Sequence, residues 1–472
     1  MFELLMDIDT ECVEINASEH LDEIIWNAWR QYNDRVHVVH GSEYCIISAP
    51  PNSGIHLYFT KNTVVDSLEK IRNKCLSENS IRLFLAYGYL PCKETLYEDV
   101  FCVPMGCCLK YDYKDGSVSY VPIDLDKIQI TDTSIGKIIK KGCQRVIREA
   151  RSDIWLSISG GLDSSVLYYE LNHLASDCPF PSPKINLLNI YTEGGRDETE
   201  YLHALLENDF HNLNRFCMND NDAWEAFVRH AGRNEIFGFP IVLKYEYLMK
   251  EISDNGGKAL VMGDGPDEAF VCEKTYEAYV DHQANTFLPI HMGIINKSLK
   301  SFLFSSLQER NTWAQYNMIF QGSTNVRFLC DIAASYGIKL YEPYLDIQLS
   351  EWCILHASEL AKCGEKEELK RYARGRIPDK IIDRSKMGFN SDYALWNKKG
   401  SRFYDALDQV LRDDHVHPVL RKYRQIARNQ LEQQSTLSYD PQKRTGGTGI
   451  QSFLFCYLLL SRFCDRFKGD IS

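Results

Sequence analysis

No stretch of this 472-residue chain approaches the roughly 20 consecutive apolar residues that a membrane-spanning helix needs. Its opening, Met1-Phe-Glu-Leu-Leu-Met-Asp-Ile-Asp, carries acid where a secretory signal needs positive charge. These two absences point to a cytoplasmic protein with no membrane role. Basic charge is also in short supply, with 53 Lys and Arg against 65 Asp and Glu and a net charge of −12. A general nucleic-acid binder, whose affinity for phosphate rests on clustered Lys and Arg, is therefore not expected. Metal-type cysteine pairs are missing although there are 16 cysteines. Cys102, Cys107 and Cys108 form no C-x-x-C pair and have no His at ligand spacing. Others, such as Cys330 and Cys456, sit in apolar runs, which predicts reduced, buried thiols. There is no internal repeat and no low-complexity tract.

What is present is ordinary globular material, 44% hydrophobic, in a chain long enough for two or three domains of roughly 150 residues each. The first part reads as short strands: Val36–His40, Tyr44–Ser48 and Ile55–Phe59, with a turn at Pro50–Gly54. A hairpin is predicted from Cys107–Tyr111 to Val118–Val121 through Asp115-Gly116. The pattern changes near residue 131. Thr133-Ser134 can cap a helix through Ile138, Ile139, Cys143 and Val146. Strand Ile154–Ile158, helix Asp163–Leu174, strand Ile185–Tyr191, helix Glu198–Asn208, a strand near Arg215–Cys217 and strand Ala259–Met262 follow. Alternating strands and helices predict an α/β fold with a doubly wound parallel sheet, which binds ligands at the carboxyl ends of its strands. From about residue 270 the chain reads as mostly helical, ending in the apolar run Ile450–Leu460. The predicted division is a β-rich α+β domain over 1–127 and a second domain over 128–472.

The strongest chemical signal is Ser157-Ile-Ser-Gly-Gly-Leu-Asp-Ser-Ser-Val, between a buried strand and a helix. Ser159, Gly160 and Gly161 let the backbone turn tightly and aim N–H groups inward, and the helix N-terminus adds positive potential, a geometry that holds phosphate. Asp163 in the same loop would repel phosphate unless a cation lay between them, which implies Mg²⁺. The bland alternative is a strand–turn–helix junction capped by an Asp. The loop resembles the PP-loop of ATP pyrophosphatases, which cleave ATP to AMP and pyrophosphate. It is not a Walker A loop, because no Gly-Lys-Ser/Thr follows.

Met262-Gly-Asp-Gly-Pro-Asp-Glu-Ala-Phe resembles the Ser-Gly-Glu-Gly-Ser-Asp-Glu-x-Phe motif of the asparagine synthetase family. Tyr341-Glu-Pro-Tyr-Leu-Asp346 resembles the family's Arg-x-Pro-Phe-Leu-Asp, and Glu367–Ala373 with Arg384-Ser-Lys-Met-Gly-Phe resembles its lysine segment. The likeness runs over about residues 80–465. It implies ATP held by Ser157, Ser159, Gly160, Gly161, Asp163, Ser164, Ser165, Ile190, Met262 and Gly263, and Mg²⁺ between Asp163 and Asp267. It also implies that Lys386, with Arg384, stabilises charge on pyrophosphate and the acyl-adenylate. Residues 361–386 hold nine basic and five acidic side chains, which by charge alone would read as a solvated basic helix.

Two departures from the family matter. Tyr87-Gly-Tyr-Leu-Pro resembles the stretch that closes the family's glutaminase domain, but position 2 is Phe where that domain has its cysteine nucleophile. The nearest cysteine, Cys12, cannot lend its own α-amino group as base without processing. The short N-terminal domain therefore resembles a degenerate glutaminase, as in the branch containing β-lactam synthetases and lasso-peptide cyclases. Second, Asp264 replaces a Glu that faces the acceptor amine, and could remove a proton from it. The expected function is an amide-forming ligase: a small-molecule or peptide carboxylate is adenylated and passed to an amine, in specialised metabolism such as antibiotic biosynthesis. Amidation by free ammonia, a non-catalytic nucleotide-binding protein, and PP-loop modification of tRNA are the alternatives. A homodimer is left open.

Overall fold

Alternation of apolar side chains decides how the strands stack. The structure is a computed structural model that describes residues 3–5, 10–14, 21–31, 35–50, 53–90, 94–103, 107–124, 127–130, 132–150, 152–176, 183–195, 197–270, 327–360, 362–384, 396, 398–435 and 449–467. Its first half contains β1 (Glu3–Leu5), β2 (Thr10–Glu14), β3 (Val36–His40), β4 (Tyr44–Ser48), β5 (Tyr58–Phe59), β6 (Thr63–Val65), β7 (Phe101–Cys102), β8 (Cys107–Asp112) and β9 (Val118–Pro122). Helices α1 (Leu21–Gln31) and α2 (Glu78–Tyr87) accompany them. Two sheets form, in the orders β2-β3-β4-β8-β9 and β1-β6-β5-β7.

Along β3, β4 and β8, Val39, Ile46 and Cys108 point to Ile25, Trp26 and Trp29 of α1. Their neighbours Val38, Ile47 and Leu109 point to Phe59 and Val64 of the second sheet. The far side of that sheet, with Tyr58, Val65 and Cys102, meets Phe84 and Leu85 of α2. The layers are thus helix, sheet, sheet, helix, because β3, β4 and β8 bury alternate residues on both faces. The expected hairpin is present: β8 pairs antiparallel with β9, Tyr111 opposite Val118, and Gly116 takes a left-handed φ of 70° in the turn. The expected strand over Ile55–Phe59 is reduced to Tyr58–Phe59.

The second half is built on β10 (Ile154–Ser157), β11 (Ile185–Thr192), β12 (Leu213–Met218), β13 (Ala259–Val261) and β14 (Lys339–Tyr341). All pair in parallel, in the order β12-β11-β10-β13-β14. The chain starts at the centre, runs to one edge, then returns to build the other. Helix α3 (Ile135–Glu149) leads into β10, and α4 (Leu162–Ser176), α5 (Thr199–Leu206), α6 (Asp220–Ala231) and α7 (Val242–Asp254) connect the strands that follow. Leu156, Leu187 and Val261 face a core shared with α3 and α4, whereas Trp155, Leu188 and Leu260 face the core of α6 and α7. Both faces are covered, so the strands read as short continuous apolar runs. Ser134 stands at the cap position of α3, but its side chain makes no capping hydrogen bond.

The last helix, Gly449–Asp465, buries Phe453, Phe455 and Tyr457 in the same core as α2. No described helix is long and apolar enough to cross a membrane. On the opposite side, Trp26 Nε1 donates to Glu351 Oε1 at 2.6 Å, and Arg30 pairs with the same carboxylate while donating to the Gln129 carbonyl at 2.6 Å. The described thiols are free, and eight of them, including Cys102, Cys107, Cys108 and Cys456, are buried.

A close backbone seam between the halves lies at Gly238, whose N–H donates to the Gly88 carbonyl at 2.6 Å. His230 aims the bend leading to it. This fully buried ring accepts the Phe237 N–H at Nε2, 2.8 Å, faces Glu246 with Nδ1, and is kept neutral by burial, which lowers its pKa. A Cβ on residue 238 would lie 2.4 Å from Cys456 Sγ and 2.8 Å from Gly88 Cα. Gly238→Ala is expected to cost about 3 kcal/mol in urea unfolding. Adding Cys456→Ala should restore little of it, because the backbone of Gly88 remains in the way.

Candidate functional site

The register Leu156↔Val261 places β10 and β13 side by side and makes the chain leave both at one edge of the sheet. The loop after β10 and the loop after β13 must therefore face each other. The first, Ser157 to Ser165, closes on itself through its hydroxyls. Ser164 Oγ accepts the Ser159 N–H at 3.2 Å, and Ser165 Oγ donates to the Gly161 carbonyl at 2.7 Å. Gly161 N–H approaches Ser159 Oγ at 3.4 Å. Hydroxyl oxygens thus stand at loop amides, where an anion's oxygens could take over. Gly160 has φ +65°, and a Cβ there would lie 2.9 Å from Tyr201 Cβ. Glycine is required on both counts.

Met262 follows β13 and is buried, its N–H held by the Tyr341 carbonyl at 3.0 Å. Gly263 abuts the start of α4: a Cβ there would sit 3.3 Å from the Ser164 amide nitrogen. Asp264 lies between Gly263 and Gly265, and Gly265 turns with φ +111° against Leu345. Asp267 sits in the short helix α8 (Pro266–Ala269). Ile190 lies on β11 two residues past Leu188, the partner of Ser157, and so flanks the loop beyond the end of β10.

The two carboxylates meet on one ammonium. Lys366 Nζ lies 2.6 Å from Asp163 Oδ2 and 2.5 Å from Asp267 Oδ1. Its side chain is 7% exposed, against 25% for Asp163 and 38% for Asp267. Burial alone would lower the Lys366 pKa; the charges of Asp163 and Asp267 outweigh it and hold the pKa above its ordinary value. The backbone also positions this lysine. Lys366 has φ 55°, a left-handed conformation, at the start of helix Glu367–Ala373, and its N–H reaches the Phe270 carbonyl at 3.3 Å. Such a conformation costs a side-chain-bearing residue about 1–3 kcal/mol and is held by its surroundings.

Arg384 closes the other side of the first loop. Its guanidinium donates to the Gly160 carbonyl at 3.0 Å, pairs with Glu198 and lies 4.1 Å over the Tyr201 ring. The segment after β14 ties both loops down. Tyr344 O–H donates to the Asp163 carbonyl at 3.0 Å, and Asp346 caps helix Ile347–Leu355 through the Gln348 N–H while pairing with Arg145 at 3.3 Å.

The structure thus gathers Ser157, Ser159, Gly160, Gly161, Asp163, Ser164, Ser165, Met262, Gly263, Asp264 and Asp267 at one strand edge, with Ile190 and Arg384 beside them. Lys386 lies outside the described residues. Lys366, which the sequence left undistinguished among nine basic residues, is the one among the described residues shown in contact with both acids. The usable signal was chemical: two facing carboxylates require a cation. Among the described residues no group of three or more His, Cys, Asp or Glu forms a metal cluster. The donor set still fits a hard divalent ion, because two carboxylates converge on a point already held by a positive charge.

No curated protein matches the chain significantly. Among solved structures, the U34-tRNA thiolase NcsA from Methanococcus maripaludis with its 4Fe–4S cluster is similar at 16% identity, over 52% of this chain and 76% of that one, with a TM-score of 0.22. An overlap that loose carries no argument about activity. The model of the asparagine synthase family matches residues 148–327 and 305–454. That span takes in both loops, Lys366 and most of the helical part, so the chain belongs to the asparagine synthase family.

Proposed function

We propose that this protein is an ATP-dependent carbon–nitrogen ligase that adenylates a substrate carboxylate and passes the acyl group to an amine. Family membership supports ATP-dependent ligase chemistry. The observation that carries the finer reading is the convergence of Asp163 and Asp267, from the ends of two adjacent parallel strands, beside a loop whose Ser159 and Gly161 amides are held by hydroxyls. Residues 159–165 would cradle the phosphates, with Ile190 and Met262 flanking the nucleotide. Asp163 and Asp267 would hold Mg²⁺, which supplies charge neutralisation to a departing pyrophosphate. The substrate carboxylate attacks the α-phosphorus, the bond to pyrophosphate breaks, and acyl-AMP remains. Arg384 keeps Gly160 in place, and Lys386 would balance charge on the phosphates. The amine then attacks the acyl carbon, Asp264 takes its proton, and AMP leaves.

The nitrogen source would not be this chain's own glutamine hydrolysis. Cys12 lies mid-strand in β2, paired with Val38, where it has no free α-amino group to act as base. The N-terminal layers would then be a degenerate glutaminase that supports the synthetase half. An intramolecular amine, or one on a small molecule or peptide, suits this reading better than free ammonia.

Pyrophosphate release from ATP and Mg²⁺ across a panel of carboxylates tests the proposal. Substrate-dependent release should fall on the order of 10²-fold in Asp163→Asn, measured on protein that still unfolds cooperatively well above the assay temperature. ATP binding with no release for any carboxylate would instead favour a non-catalytic nucleotide-binding protein. The loop can be tested separately. Gly160→Ala should weaken ATP binding and lower the thermal midpoint. Gly194→Ala, also at positive φ (+71°) but with nothing within 4 Å of its Cβ, should lose only the conformational cost, about 1–2 kcal/mol, and bind ATP normally.

A further inference from the structure

Asp163 and Asp267 already share a counter-ion from the chain itself. Lys366 Nζ stands 2.6 Å and 2.5 Å from their oxygens. Mg²⁺ bound by the same oxygens would need them at about 2.0–2.1 Å. An ammonium and a divalent ion cannot occupy that place together. Electrostatics disfavours the exchange in isolation: a free metal must first displace a tethered cation that pays little translational entropy to stay, and leave that buried cation facing another. The exchange becomes favourable when a polyanion arrives, because a lysine is a compact point charge that phosphates accept readily. The stem is set for such a short move. Lys366 is fixed by its left-handed backbone at the head of helix Glu367–Ala373 and by the Phe270 carbonyl, so only its side chain need turn.

We infer that Lys366 is an internal counter-cation that closes the carboxylate pair to free divalent metal, so that the ion enters only together with the nucleotide whose phosphates receive the lysine. The inference rests on the assignment of Asp163 and Asp267 as the metal carboxylates. It makes nucleotide and metal binding mutually dependent through one side chain. It also explains why a buried lysine is held in a costly conformation by the ends of two separate elements.

The test uses Mn²⁺ as the probe on the full chain without nucleotide, followed by electron paramagnetic resonance. The unaltered protein should bind Mn²⁺ weakly and should gain affinity when a non-hydrolysable ATP analogue is added. Lys366→Met should bind Mn²⁺ alone tighter by about ten-fold or more, since the carboxylate pair then loses the Lys366 ammonium. Lys366→Gln, which keeps a hydrogen-bond donor if the Met variant does not fold, should behave likewise. Adding Asp163→Asn to either variant should remove the gain. Equal Mn²⁺ affinity in wild type and the lysine variants overturns the inference. So does a gain that survives Asp163→Asn, since the metal would then sit elsewhere. Mn²⁺ binding to the unaltered protein that is equally tight with and without the analogue overturns it without any variant. None of these titrations requires turnover, so absence of pyrophosphate release would sink the adenylation reading and leave this result standing.

Discussion

Two carboxylates on neighbouring strand ends repel one another, and the ammonium of Lys366 is what lets Asp163 and Asp267 converge. Much of the surrounding architecture can be understood as support for that contact. Parallel pairing of β10 and β13 brings the two loops to the same edge. Gly263 allows the second loop to lie against the first turn of α4, and the Tyr344 hydroxyl holds the Asp163 carbonyl from a third strand end. The lysine comes from a helix more than 200 residues along the chain from the first loop. At an effective dielectric near 20 each such pair is worth only a few kcal/mol before desolvation, so the geometry depends on the packing behind it as much as on charge.

Elements governed by local chemistry were legible in the sequence. The β8–β9 hairpin follows from Asp115-Gly116, the central strands from short apolar runs, and the phosphate-type loop from a strand, two glycines and a helix start. Other features were hidden because they depend on partners far away. Nothing near Lys366 separates it from Lys362 or Lys370; its partners do. Arg384 was visible as a basic residue, but its pairing with Glu198 and its stacking on Tyr201 were not. Helix α6 has a local start signal, the reciprocal Asn219–Asp222 capping box. Helix α7 gave no periodic signal because it is buried nearly all round, Lys244 and Glu246 included.

The N-terminal layers reach the candidate site through an identifiable chain of contacts. Trp26 and Arg30 of α1 grip Glu351, which lies on the helix capped by Asp346. That cap ends the segment whose Tyr344 holds Asp163. The β-rich N-terminal layers thus buttress the segment that fixes the first acidic loop.

The placement of the final helix has a consequence for how the protein is made. Phe453, Phe455 and Tyr457 complete a core that also contains Phe84 of α2 and Tyr58 of the N-terminal sheets. Synthesis runs from the N-terminus at about 5–20 residues per second, so these apolar faces wait until residues 453–457 have left the ribosome. The first half therefore cannot finish folding as an independent unit while it is being translated. For that interval it presents open hydrophobic surface, which makes the nascent chain a natural client for chaperones. A stop codon before residue 453 would remove core, not a surface tail.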